Sequence, residues 1–201
     1  MSRQTTNIVL AGVGGQGSVL STRILAEAAR RAGRAVVTSE VHGMSQRGGT
    51  VVTAVRWGAD ELAPVVPEGE ADLLVAFERL EAARHLDLLR PGGLAVVGDE
   101  RITPLIEALR SADYPDDLEG LARARDIDLE LFPALRTATE LGNPKLAGVA
   151  LLGVVSHHVE LPLHAWRGAI AETVPAGTVD ANLAAFTVGH EWGVGPVHFS
   201  F

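Results

Sequence analysis

The chain has 201 residues, no cysteine, and 25 acidic against 17 basic side chains, which leaves a formal charge of −8. Without cysteine it carries no disulfide, thiolate nucleophile, iron–sulfur cluster or Cys-type zinc site of its own, and its acidity argues against duplex nucleic acid, whose phosphates need a basic face. A chain of this length buries roughly 70% of its unfolded surface, enough for a single domain over residues 1–201.

The first six residues pass from polar side chains straight into an apolar run, with neither a signal-peptide region nor an arginine-rich transit segment. The longest nearly uncharged apolar stretch, residues 146–155, is too short for a membrane span. A cytoplasmic protein without a membrane or nucleic-acid partner is expected. Residues 8–11 predict a first strand, Gly12-Val13-Gly14-Gly15-Gln16-Gly17 a tight turn, and 18–32 a helix whose Val19, Leu20, Ile24, Leu25, Ala28 and Ala29 recur at helical spacing. Gly33 stops that helix, and a strand at 35–38 completes a β-α-β unit. Residues 39–49 have no periodicity and read as a long exposed loop at a strand's carboxyl end, where open α/β sheets bind ligands. The β-branched run 50–56 is a third strand. Strands follow at 73–76 and 94–97, separated by a helix over 79–89 that Pro91-Gly92-Gly93 ends.

Residues 99–126 are more charged and less regular, an excursion with a turn over 111–117 and a short helix to about Ala124. An edge strand at 127–132 comes next, then a helix opened by Pro133 and closed at Gly142. Asn143-Pro144 begins an almost wholly apolar helix through about Val159, which must be buried under the sheet or by a partner chain. Two more helices cover 162–173 and 180–192, with Asp180 as the N-cap of the last. The alternation predicts an α/β fold: a Rossmann-like, doubly wound, largely parallel sheet with helices on both faces and a helical C-terminal part.

The turn carries the first chemical signal. Glycines at 12, 14, 15 and 17 accept φ > 0 and close backbone approach, and the helix behind them presents N–H groups and a positive dipole end to an anion. The spacing satisfies G-x-G-x-x-G, and Glu40 at the next strand's end sits where a ribose-binding acid would. Close helix-on-strand packing explains the same glycines without any ligand. The second signal is the loop His42-Gly43-Met44-Ser45-Gln46-Arg47-Gly48-Gly49, in which a planar guanidinium between glycines suits a carboxylate or phosphate; the plainer role for Arg47 is a salt bridge to Glu40. No metal site is expected, because the seven histidines show no i, i+4 pair. No Gly-x-Ser-x-Gly elbow or P-loop occurs, and no residue is an evident general base or nucleophile.

Taken together, Gly12 to Gly17, Glu40 to Gly49, Gly142-Asn143-Pro144-Lys145, and Asn182 with Phe186 and Gly189 resemble the gamma-type subunit of 2-oxoacid:ferredoxin oxidoreductases, with the layout of the stand-alone beta subunit of the indolepyruvate enzymes. The resemblance covers nearly the whole chain and is weakest over 99–126. It implies a non-cluster subunit of a complex that oxidatively decarboxylates an indolepyruvate-like or arylpyruvate 2-oxoacid on thiamine diphosphate, passes electrons through iron–sulfur clusters to ferredoxin and releases an acyl-CoA. Thiamine diphosphate and the clusters would be held chiefly by the partner subunit. On this reading Gly12, Gly14, Gly15, Gln16 and Gly17 form the cofactor-side turn, and Glu40, His42, Ser45, Gln46, Arg47, Gly48, Gly49 and Asn143 the substrate or partner-site loop near a coenzyme A or substrate entrance. Two other readings stay open: a stand-alone oxidoreductase binding NAD or FAD with Glu40 on a ribose, and a scaffold subunit with no site of its own. The apolar helix and the tail Gly195-Pro196-Val197-His198-Phe199-Ser200-Phe201 are candidate association surfaces, through which an isolated chain could form a homodimer.

Overall fold

A computed structural model describes residues 5–42, 49–58, 62–101 and 117–192, with the side chain of His42 left out. The tail after Trp192, the turn at 111–116 and the loop residues Ser45, Gln46, Arg47 and Gly48 lie outside the described residues. Among the described residues six strands form one sheet in the order β2-β3-β1-β4-β5-β6: β1 Thr6–Val13, β2 Val36–His42, β3 Thr50–Trp57, β4 Ala71–Ala76, β5 Leu89–Gly98 and β6 Asp128–Phe132. β1, β4, β5 and β6 pair in parallel, while β3 runs antiparallel between β1 and β2.

Period-two alternation sends successive side chains to opposite faces. Ile8, Leu10, Leu73 and Val75 join one apolar cluster, and Val9, Ala11, Leu74 and Ala76 the other. The first face is covered by α1 (Ser18–Arg31), α4 (Ala134–Glu140), α5 (Ala147–Val155), α6 (Leu163–Thr173) and α7 (Val179–Trp192). The second is covered by α2 (Arg79–His85) and α3 (Leu118–Arg123). The expected α/β, doubly wound, largely parallel sheet with a helical C-terminal part is the observed architecture. No helix among the described residues is long and apolar enough to cross a membrane.

Several expectations are corrected. The 39–49 segment is not all loop: Ser39, Glu40, Val41 and His42 extend β2 because β3 supplies their ladder partners. The helix expected over 79–89 ends at His85; a 3-10 turn, Leu86–Leu88, follows, and β5 already begins at Leu89. Pro91-Gly92-Gly93 therefore lies within β5, where the register against β4 shifts and Gly92 takes a φ of 67°. The apolar helix is shorter than expected, with a 3-10 turn over Pro144–Leu146 ahead of α5. Asp180 sits inside the first turn of α7 and is not its cap. α5 is buried by its own chain, against the sheet and α7.

Candidate functional site

At the carboxyl end of β1 the chain turns back on itself. Gln16 N–H donates to the Val13 carbonyl at 3.1 Å, and Gln16 Oε1 accepts from Val13 N–H at 2.6 Å, so both ends of this residue close the turn. Two kinds of glycine build it. A Cβ on Gly12 would lie 3.0 Å from Gln16 Oε1 and 3.2 Å from Phe77, which is a packing constraint. Gly15 and Gly17 instead need their φ of 101° and 87°, and a Cβ on either would meet no atom within 4 Å. Close packing alone therefore accounts for Gly12 but leaves the space above Gly15 and Gly17 open. Gly17 gives α1 no side-chain cap, and the first turn of α1 carries no acid, so its first N–H groups have no side-chain acceptor in that turn and its positive dipole end lies at the glycine turn.

The neighbouring rim contributes the second glycine-rich segment. Val13 pairs with Thr50 at the end of the β1–β3 ladder, and Gly14 N–H then donates to the Gly49 carbonyl at 3.1 Å. This places the exit of the 43–49 segment directly against the glycine turn. His42 faces Val51 at the corresponding end of β2. From behind, α5 abuts the turn: a Cβ on Gly148 would meet Phe77 and Ser21 Oγ at 2.9 Å and the Gln16 carbonyl at 3.6 Å. Asn143 stands just ahead of that helix, where its side chain caps the 3-10 turn by accepting from Lys145 N–H at 3.1 Å.

Glu40 does not sit where a dinucleotide fold needs it. It pairs with Thr53 on β3, which separates β2 from β1. Two strand spacings put Glu40 roughly 10 Å laterally from the first strand, where it lines a polar groove of about 360 Å³ with Arg23, Arg30 and Glu172. A ribose acid belongs on the strand adjacent to the first, so the geometry counts against that use.

Other polar groups escaped the sequence reading. Glu78, 1% exposed, caps α2 by accepting from Leu80 N–H at 3.0 Å and Glu81 N–H at 2.6 Å; an acid directly after a buried strand and before a helical run was the available signal. A second groove of about 630 Å³ lies at the carboxyl ends of β5 and β6 between Glu100, Leu135, Arg136 and Trp192. Burial pushes the Glu100 carboxyl above its ordinary pKa, with repulsion from Asp99 adding to it and the Leu135 N–H opposing.

Ser156 and His190 are 2.8 Å apart but do not form a nucleophilic pair. The Gly153 carbonyl can only accept, so Ser156 Oγ donates to it and must itself accept from His190 Nδ1–H. Activation of the hydroxyl requires the opposite direction. Among the described residues no three His, Cys, Asp or Glu side chains gather as a metal site.

Residues 7–192 match the family described as pyruvate ferredoxin/flavodoxin oxidoreductase. The chain belongs to that family. Over 189 residues it is 39% identical to the indolepyruvate oxidoreductase subunit IorB of Thermococcus kodakarensis, covering 91% of this chain and 93% of the relative. Among solved structures, the gamma subunit of a keto/oxoacid ferredoxin oxidoreductase from Geobacter sulfurreducens superposes with a TM-score of 0.70 at 23% identity, over 95% of this chain and 99% of that one. A 2-oxoglutarate:ferredoxin oxidoreductase from Magnetococcus marinus, solved with 2-oxoglutarate, coenzyme A and succinyl-CoA, gives 0.73 at 20% identity, with 96% of this chain matching 31% of the larger one. At those identities the two structures establish the fold. The curated homologues of this oxidoreductase-family chain are subunits of enzymes that act on 2-oxoacids.

Proposed function

We propose that the chain is the non-cluster subunit of a cytoplasmic, thiamine diphosphate-dependent 2-oxoacid:ferredoxin oxidoreductase, with an indolepyruvate-like arylpyruvate as substrate and an acyl-CoA as product. Residues 1–201 form one gamma-type domain on this reading. The observation that carries the site is the Gly14 N–H to Gly49 carbonyl bond, which joins the two glycine-rich segments at one rim of the sheet. Gly12, Gly14, Gly15, Gln16 and Gly17 then form an open seat for an anionic group, and the pyrophosphate of coenzyme A has the charge that uncapped helix N–H groups favour. Glu40, His42, Ser45, Gln46, Arg47, Gly48, Gly49 and Asn143 border the entrance that the partner subunit completes.

The donor set of this chain does not suit the other cofactors. A cluster needs thiolates, and the sequence has none; the partner subunit holds the clusters and thiamine diphosphate, and ferredoxin meets the complex there. A dinucleotide enzyme acting alone is disfavoured by β3 standing between β1 and Glu40.

Copurification from the native source tests the reading, with a thiamine- and cluster-bearing subunit expected in stoichiometric amount. In that complex Arg47→Ala should raise the KM for coenzyme A or the 2-oxoacid. Unchanged kinetics for both with intact assembly would remove the loop from the mechanism.

A further inference from the structure

Glu81 lies in α2, yet its side chain reaches out of that helix to the far side of the glycine rim. The carboxylate is 1% exposed. Oε1 accepts from Thr50 Oγ1 at 3.1 Å and from Arg84 Nη1 at 2.7 Å, and Oε2 lies 3.6 Å from His85 Nε2. Burial alone would push its pKa up, but His85, Thr50 and Arg84 outweigh that and hold it below the ordinary glutamate value. A buried carboxylate is costly unless paired, and a helix of this kind needs no such group for its own cohesion: Glu78 already caps it. What Glu81 adds is a link between α2 and Thr50, the residue after Gly49 and the ladder partner of Val13.

We propose that Glu81 is the positioning residue of the glycine seat, fixing Thr50 so that the Gly49 carbonyl stays on Gly14 N–H and the turn keeps the shape that receives its ligand. The chain of contacts is continuous: Arg84 holds Glu81, Glu81 holds Thr50, and the backbone from Thr50 to Gly49 meets Gly14. The consequence for catalysis rests on the function proposed above; the conformational link does not.

Hydrogen exchange at the Gly14 amide in the full chain reads the link directly. Glu81→Met removes the acceptor at similar length, and Thr50→Val removes the donor from the other end with a β-branched isostere suited to a strand. In both, Gly14 should exchange about tenfold faster, the effect of losing one hydrogen bond of ordinary net strength, while the Leu10 and Val75 amides keep their wild-type rates. Thr50→Ser and Glu81→Gln retain a donor and an acceptor, so protection should return. If Gly14 keeps its protection in Thr50→Val, or if Leu10 and Val75 lose theirs equally, Glu81 is only a helix-stabilising group and the proposal fails. In the assembled enzyme Thr50→Val should raise the KM for coenzyme A with kcat nearly unchanged. Faster Gly14 exchange with an unaltered KM would uphold the positioning and refute the ligand seat.

Discussion

The crossing of α5 and α7 makes a quantitative prediction. A Cβ on Gly189 would lie 1.8 Å from the Ala150 carbonyl oxygen and 2.9 Å from its carbon, and one on Gly153 would lie 2.2 Å from the Phe186 carbonyl oxygen. These are helix backbone atoms, which cannot rotate aside. Gly189→Ala must therefore push the helices apart by roughly 1.5 Å to restore van der Waals distance. That separation loosens Val149, Ala150, Ala185 and Phe186, all at most 1% exposed. Overpacking of this kind costs about 3 kcal/mol, against ~1 kcal/mol that alanine gains over glycine inside a helix. The net loss of about 2 kcal/mol corresponds to a fall in Tm of roughly 4–8 °C for a chain of this size. Thermal unfolding followed by circular dichroism measures it. Gly177→Ala, where a Cβ meets nothing within 4 Å, is the control and should melt like wild type. Gly153→Ala combined with Gly189→Ala should cost less than the sum, because one separation accommodates both methyl groups. A Gly189→Ala protein melting within about 1 °C of wild type would refute the reasoning.

Arg56, 7% exposed, donates to Asn7 Oδ1 at 2.9 Å and to the Ala63 and Val65 carbonyls at 2.6 Å; Arg56→Met should cost about 2 kcal/mol in urea unfolding with an unchanged m-value, because it strands the buried Asn7 oxygen and releases two loop carbonyls. Glu78→Ala removes the cap of α2 and should cost about 1 kcal/mol in the same assay. Burial, His157 and Arg167 hold the His190 pKa below its ordinary value, Glu191 opposing. The unfolded chain therefore takes up the proton first, so stability is full above about pH 6.5 and declines as the pH falls from there through the folded-state value. In His190→Gln that part of the pH dependence should vanish, which urea midpoints between pH 7.5 and 5 will show.

Much of the fold was legible because period and punctuation are local. The apolar run Ile8-Val9-Leu10-Ala11 announced a buried strand, and Gly33, with its φ of 77° and its N–H on the Arg30 carbonyl, ended α1 as read. Direction is not local. The β-branched run at 50–57 announces a strand, but nothing in its period says that it runs antiparallel between β1 and β2, and that insertion is what carries Glu40 away from the first strand. Pro91-Gly92-Gly93 looked like a stop because those residues usually break structure, whereas a register shift in β5 absorbs them. At the site, both glycine-rich segments were visible as motifs, and Gly14 and Gly49 do meet. The support behind them was not visible: Glu81 and Thr50 are 31 residues apart, and no spacing rule connects them.

The most direct measurement of the central claim is 2-oxoacid- and coenzyme A-dependent reduction of ferredoxin by the proposed thiamine- and cluster-bearing partner, assayed with and without this chain. The account predicts turnover with indolepyruvate only when both are present, and none from this chain alone with any nicotinamide or flavin. Full activity of the partner by itself, or micromolar binding of NAD by the isolated chain with substrate-dependent reduction, would contradict it.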